Sequence, residues 1–258
     1  MMRFAGALLS LLTLLMAAQP VGASASRRVH VAVCEWPPFS TRNTESGGIV
    51  LALMREALAT QGYVLDADVL PWKRAIDVAE HDTSVIGFGP TYDVDLLDGF
   101  FQTAAIASSP IGFAELKDKP IAWRDFSDLA PYRIGVTLGY RYTNDFDAAL
   151  KKLDADVAPS DELSLRKLVA GRVDAVVIDY NAMLYLLDHD PVLRASKETI
   201  VFNPHILATK DISFTFRDTA EGHLVASALM EGLKHVDLSI LRRVATPRTG
   251  ENDLRDQH

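Results

Sequence analysis

The chain reads as an α/β protein built from two successive units, and three observations predict it. Short apolar, β-branched runs alternate with stretches of helical periodicity. That rhythm runs once, pauses, and starts again. Cap and turn residues fall at the joints.

In the first unit, Val29 to Cys34 alternates as a strand does. Ile49 to Ala59 follows, with Val50, Leu53, Met54, Ala57 and Leu58 on one helical face and Gly62 as a stop. Tyr63 to Val69 is strand-like, and Pro71 opens a helix through Glu80 at a first-turn position where proline is tolerated. Val85 to Gly89 is a short apolar strand. Strand, helix, strand, helix, strand implies parallel pairing with helices on the faces.

The second unit starts after Ser127-Asp128-Leu129, with a strand over Tyr132 to Val136. Thr143 or Asn144 caps a helix that turns Phe146, Ala149, Leu150 and Leu153 inward. Ala155 to Ala158 is a short strand. Ser160 caps a helix from Asp161 to Ala170, with Asp161 and Glu162 set against the helix dipole and Gly171 ending it. Val173 to Ile178 is a buried strand and Asn181 to Leu187 a helix. The stretch Pro110 to Ala114 links the units, and the chain returns near Pro204 to Thr209. A last helix, roughly Asp218 to His235, sets Leu224, Ala228, Leu229 and Leu233 on one face and is expected to pack back on the first unit. Thr246 to His258 is poor in apolar residues and reads as a frayed tail.

The N-terminus carries an address. Arg3 precedes a nearly unbroken apolar run from Phe4 to Ala18, then Pro20 and small residues through Ala23-Ser24-Ala25. This is the order of a secretory signal peptide over residues 1–25, with cleavage expected after Ala25 in preference to Ala23. The run is shorter than the ~20 residues of a membrane span. The chain has 258 residues and a net charge of −8, an acidic balance that suits neither nucleic acid nor an anionic membrane. The single cysteine, Cys34, cannot form an internal disulfide and reads as a small buried strand residue. A freely diffusing secreted monomer is expected.

Several segments together resemble the type 3 solute-binding proteins, the family of periplasmic polar amino-acid receptors of ABC importers. They are Glu35-Trp36-Pro37-Pro38-Phe39, Gly48 with the helix to Leu58, Pro71-Trp72-Lys73-Arg74-Ala75-Ile76, and Gly89-Pro90-Thr91. Gly135-Val136-Thr137-Leu138-Gly139 and the run from Gly171 to Asp179 complete the order. The resemblance covers nearly the whole mature chain. It implies a two-lobed periplasmic-binding-protein-like fold, each lobe a mixed sheet flanked by helices, with a ligand cleft between lobes. Residues 26–112 and 205–258 would form lobe 1 and residues 113–204 lobe 2. Closure of a hinge would bury the ligand and present a surface to an ABC permease or a sensor.

The resemblance also points to ligand contacts. Trp36 and Trp72 hold positions where the family presents aromatic faces, which clamp a ligand body or a cation. Phe39 packs the loop. Thr91 ends a strand where backbone N–H groups can receive a carboxylate. Asp179 matches the carboxylate that takes a ligand amine, and also reads as a helix cap. The family's carboxylate-gripping arginine, three residues after the threonine, is Val94 here. Arg141, within Gly139-Tyr140-Arg141-Tyr142 and next to a helix start that favours anions, is a candidate replacement, with Tyr140 beside it as a further ligand contact, or else a surface arginine stacked on Tyr140 or Tyr142. Arg74 is another candidate, which could instead pair with Asp77 or Glu80.

Catalytic signals are sparse. The seven histidines form no H-x-x-x-H or H-E-x-x-H pair, and no Cys-x-x-Cys, P-loop or G-x-S-x-G occurs. No metal and no cofactor is expected. Asp188-His189-Asp190-Pro191 reads as an acidic helix end. Two alternatives stand beside the transport receptor. One is a periplasmic dehydratase of prephenate or arogenate type on the same fold, with Glu35 as its acid. The other is a ligand-sensing receptor for a signalling partner.

Overall fold

The computed structural model describes residues 27–92 and 97–237. The expected signal segment, Val94 and the tail from Thr246 lie outside them.

In chain order the first half holds β1 (Arg27–Cys34), α1 (Ile49–Thr60), β2 (Tyr63–Leu70), α2 (Trp72–His81), β3 (Gly87–Thr91) and β4 (Phe100–Gln102). The long strand β5 (Ala107–Leu116) leads out of it. Then come β6 (Arg133–Thr137), α3 (Asn144–Leu150), β7 (Asp154–Ala158), α4 (Asp161–Val169), β8 (Ala175–Asp179), α5 (Tyr180–His189), α6 (Pro191–Arg194) and β9 (Ile200–Phe202). The chain returns through β10 (Ala208–Arg217) and ends its described part with α7 (Ala220–Leu233).

The strands run in the order β2-β1-β3-β10-β5-β8-β6-β7, with β4 against β10 and β9 against β5. At one end β2, β1 and β3 are parallel, and at the other so are β8, β6 and β7. Between them β5 and β10 run antiparallel to each other and to their outer neighbours. The two parallel trios therefore come from the two sequence units, and two antiparallel strands join them. In β10, Ala208 to Ile212 pair with β5, whereas Ser213 to Arg217 pair with β3 and β4.

Helix starts follow the local chemistry. Thr143, Ser160 and Thr219 each accept a backbone N–H in the first turn of the helix that follows, satisfying donors that a helix start leaves open. Pro71 sits one position earlier than expected, at the cap of α2. The strand expected over Val85 to Gly89 starts at Gly87 and runs to Thr91.

Helix α7 packs back on α1 as expected, with Leu229 buried and Ala228 and Leu233 partly buried against the core; only Leu224 of the expected face turns outward. Leu224 is 61% exposed. The buried positions are Gly222, Val225, Ala226, Leu229 and Gly232. A Cβ on Gly232 would lie 2.1 Å from the Ala57 carbonyl oxygen, so glycine sets how closely the two helices approach. Gly232→Ala is expected to destabilise the protein by about 2 kcal/mol, because overpacking outweighs the gain in helix propensity. A thermal melt checks this, and an unchanged midpoint would mean that the helices can part at no cost.

Candidate functional site

The carboxyl ends of the parallel strands of both trios converge on one pocket. It is lined by Trp36, Trp72, Thr91, Tyr92, Ile111, Tyr140, Arg141, Tyr142, Asp161, Ile178 and Asp179. Trp36 follows β1, Thr91 and Tyr92 end β3, and Tyr140 to Tyr142 follow β6. Asp161 follows β7 through Ser160, and Asp179 ends β8. Open α/β sheets bind ligands at such strand ends, because chain reversals there leave side chains and backbone groups unused by the sheet.

The walls are aromatic. Trp36 stands edge-on to Tyr92 at 4.8 Å and packs on Phe39 at 4.6 Å. Trp72 meets Tyr140 edge-on at 5.4 Å, and its Nε1 donates to the Gly139 carbonyl at 3.1 Å. The Trp72 contacts join the first trio to the second. Trp36 is 6% exposed, and its Nε1 finds no hydrogen-bond partner among the described residues. A buried donor left open in a pocket wall calls for an acceptor.

The floor is acidic. Asp179 accepts the Tyr92 hydroxyl at 2.5 Å and the Ala182 backbone N–H at 2.9 Å. It therefore caps α5 and faces the pocket at once. Burial raises its pKa, against the pull of hydrogen bonds from Ser109, Tyr92 and the start of α5. Asp161 accepts the Thr137 hydroxyl at 2.5 Å. Burial pushes its pKa up to about 7; the Thr137 hydrogen bond opposes this and the charge of Asp179 adds to it. Burial also raises the phenols of Tyr92, Tyr140 and Tyr142, so all three stay neutral. The cavity between these walls is about 30 Å³.

Six of the seven residues singled out from sequence line this pocket: Trp36, Trp72, Thr91, Tyr140, Arg141 and Asp179. Arg74 does not. It pairs with Asp77 at 2.9 Å on the outside of α2 and is largely exposed. Arg141 lies at the exposed rim. The helix start beyond it differs from expectation: α3 has only seven residues, and its first turn carries Asp145 and Asp147. Asp147 already accepts the Tyr142 N–H. That end is acidic and does not favour anions. Glu35 accepts the Thr41 hydroxyl and both the backbone N–H and Nε of Arg42, and it is not among the lining residues.

Sequence reasoning missed Tyr92 and Asp161. Tyr92 could have been flagged as the aromatic that follows Thr91 at a strand end. Asp161 looked like an ordinary acid in the first turn of a helix. Cys34, as expected, is a buried strand residue; burial pushes its thiol up to about 12, and it donates to the Pro90 carbonyl. Among the described residues no helix is long and apolar enough to cross a membrane, and no group of three or more His, Cys, Asp or Glu is placed to hold a metal.

No protein-family model and no curated protein matches the chain. Solved structures do. A histidine kinase sensor domain with similarity to periplasmic binding proteins superposes with a TM-score of 0.67 at 17% identity, over 85% of this chain and 93% of that one. A mutant of ArgBP from T. maritima gives 0.64 at 16%, over 84% and 91%. The GluR0 ligand-binding core from Nostoc punctiforme, in complex with L-glutamate, gives 0.65 at 19%, over 84% and 96%. At these identities the likeness is one of fold: the chain has the fold of the periplasmic binding proteins.

Proposed function

We propose that this chain, with its periplasmic-binding-protein fold, is a solute-binding protein. It captures a small polar ligand, an amino acid or an amine, for an ABC importer and performs no chemistry on it. The observation that carries the reading is the pocket itself. Aromatic walls from both strand trios face two buried carboxylates at convergent strand ends. A ligand ammonium would sit on Asp179, with its body between Trp36 and Trp72. A ligand acceptor would meet the open Trp36 Nε1. Arg141 at the rim would take an anionic group. The lobes would be 26–112 with 205–258, and 113–204, moving about β5 and β10. The first of these boundaries falls inside β5, which suits a bending strand better than a flexible linker. The signal-like N-terminus supports a periplasmic location.

The acid nominated for a dehydratase, Glu35, is held by Thr41 and Arg42 outside the pocket, so that reading would have to use Asp161 instead. A sensing role is supported by the likeness to a kinase sensor domain, and it would use the same pocket.

The test is a thermal-shift screen of protein refolded to strip bound solute, against amino acids, diamines and a prephenate-type substrate, with hits assayed for turnover. A ligand that binds only the folded state raises the melting temperature. A shift without turnover is expected. Turnover of a hit would replace this reading with the enzymatic one. Arg141→Ala is expected to weaken lysine about fivefold while sparing cadaverine, which has no carboxylate, since an exposed ion pair is worth up to about 1 kcal/mol. Equal losses for both would remove Arg141 from carboxylate binding.

A further inference from the structure

We propose that Asp161 is a second ligand-binding carboxylate and that, together with Asp179, it makes the pocket select solutes of net positive charge. This rests on the solute-binding reading above. Asp161 is 8% exposed and Asp179 5%, and both line the same cavity. The groups that favour their ionised forms are uncharged donors: the Thr137 hydroxyl for one, and Tyr92, Ser109 and the first backbone N–H groups of α5 for the other. Neither carboxylate forms a salt bridge among the described residues: Arg141 stands at the rim and Lys210 Nζ lies 5.8 Å over the Tyr92 ring. A cation entering between the two acids supplies a closer compensating charge.

The helix dipole alone does not account for the burial of Asp161. An acid in the first turn of a helix favours the dipole from the surface as well as from inside. Glu162, the next residue, does so from the surface, where it pairs with Arg166 at 2.8 Å. Burial of Asp161 adds nothing to that role and costs solvation. Independently of the acids, the Nε1 of Trp36 in the same wall is a buried donor without a partner among the described residues. A neutral zwitterionic amino acid brings one positive and one negative charge to a floor with two acids. A basic amino acid or a diamine brings a surplus of positive charge, and the aromatic walls hold such cations well.

Asp161 also makes the selection depend on pH. The titratable or charged groups around it are Asp179 from β8, the phenols of Tyr92, Tyr140 and Tyr142, Arg141 at the rim and Lys210 of β10 over the Tyr92 ring, with Glu162 and Arg166 outward on its own helix. The phenols remain neutral across the working range, which leaves the two carboxylates to titrate. Asp161 is protonated below about 7, so a cation must displace its proton, and affinity rises with pH through that value.

Calorimetry on norleucine, lysine and cadaverine tests this. The three share a similar carbon chain and carry net charges of about zero, one and two. At pH 8 lysine is expected to bind at least tenfold tighter than norleucine, with cadaverine no weaker than lysine. At pH 6.5 the lysine enthalpy should vary with the ionisation enthalpy of the buffer, reporting a released proton. Asp161→Asn keeps an acceptor for Thr137 and should reduce the lysine preference to threefold or less and abolish proton release. Equal binding of norleucine and lysine overturns the proposal, and so does lysine binding without proton release in the parent, a measurement that needs no variant. Binding that depends on Asp179 but not on Asp161 defeats this inference alone. No binding of any of the three, with or without Asp179, defeats the solute-binding reading as well.

Discussion

Asp179→Asn is expected to weaken binding of lysine or cadaverine at least 100-fold, about 3 kcal/mol, and to leave the protein folded. The size follows from leaving a ligand ammonium buried without its charged partner. Folding survives because asparagine keeps an oxygen for the Ala182 N–H, 2.9 Å from the present carboxylate, and the Tyr92 hydroxyl, now 2.5 Å away, can turn to accept from the new amide. Asp179→Ala is the less informative change. It removes the cap of α5 too, worth about 1 kcal/mol, and so mixes a helix effect with a ligand effect. Calorimetry beside a thermal melt separates the two. Unchanged affinity in Asp179→Asn would mean that Asp179 is only a cap, and the amine would have to be sought at Asp161.

Much of this architecture could be read from sequence wherever one residue carries one role. β1 alternates only at its start, where Val29 is buried between exposed Arg28 and half-buried His30; from Val31 to Cys34 every position is buried, and α2 packs on the strand. Ser160 and Thr143 lie where a helix must find a donor's partner, and both do that. The two connecting strands were not legible. β5 begins Ala107-Ser108-Ser109-Pro110, and β10 carries Lys210 and Asp211. Polar residues and a proline in mid-strand hide an apolar pattern, and here they occupy the part where the two strands pair with each other between the trios. Leu224 of α7 misled for another reason. Periodicity marks where bulk lies, but the close approach to α1 is made at Gly232 and that to β10 at Gly222, and glycine is silent in a hydrophobic pattern.

The pocket shows the same division. Its aromatic residues and Asp179 follow strand ends and could be placed by order along the chain. Asp161 could not, because its sequence setting, just after a serine cap, is satisfied by the helix dipole alone. Only the fold reveals that α4 starts against Thr137 and turns this acid inward while Glu162 stays out. Arg74 failed in the opposite direction. It was attractive for its place two residues after Trp72, but successive helix positions face different ways, and Asp77, three residues on, claims it.

Asp161→Asn is expected to make the unliganded protein more stable at pH 8 and no more stable at pH 4. Aspartate ordinarily titrates at 3.8, and burial lifts Asp161 to about 7. Between those values the folded protein holds a proton that the unfolded chain has released. The stability that goes with this proton is full below 3.8 and is lost as pH rises through about 7. Each pH unit in that window costs about 1.4 kcal/mol, so the loss reaches on the order of 4 kcal/mol by pH 8. Asparagine has no proton to lose. The difference between variant and parent should therefore grow over the same window, reaching a rise in melting temperature of roughly 10 °C at pH 8 for a chain of this size. Carboxylates that do not interact with Asp161 titrate alike in both proteins and cancel in the difference; Asp179, coupled to Asp161 by charge, is controlled by the same comparison in an Asp179→Asn background. Urea unfolding at pH 4, 6 and 8 checks it, and a difference that stays flat with pH would show that Asp161 is ionised at no cost and needs no cation. If the difference grows as expected, adding lysine or cadaverine at pH 8 should raise the parent's melting temperature by more than the variant's, because the ligand then neutralises the charge that the variant lacks. A residue that destabilises the empty protein and stabilises the filled one is shaped by its ligand, and that pairing of effects distinguishes a binding carboxylate from a structural one.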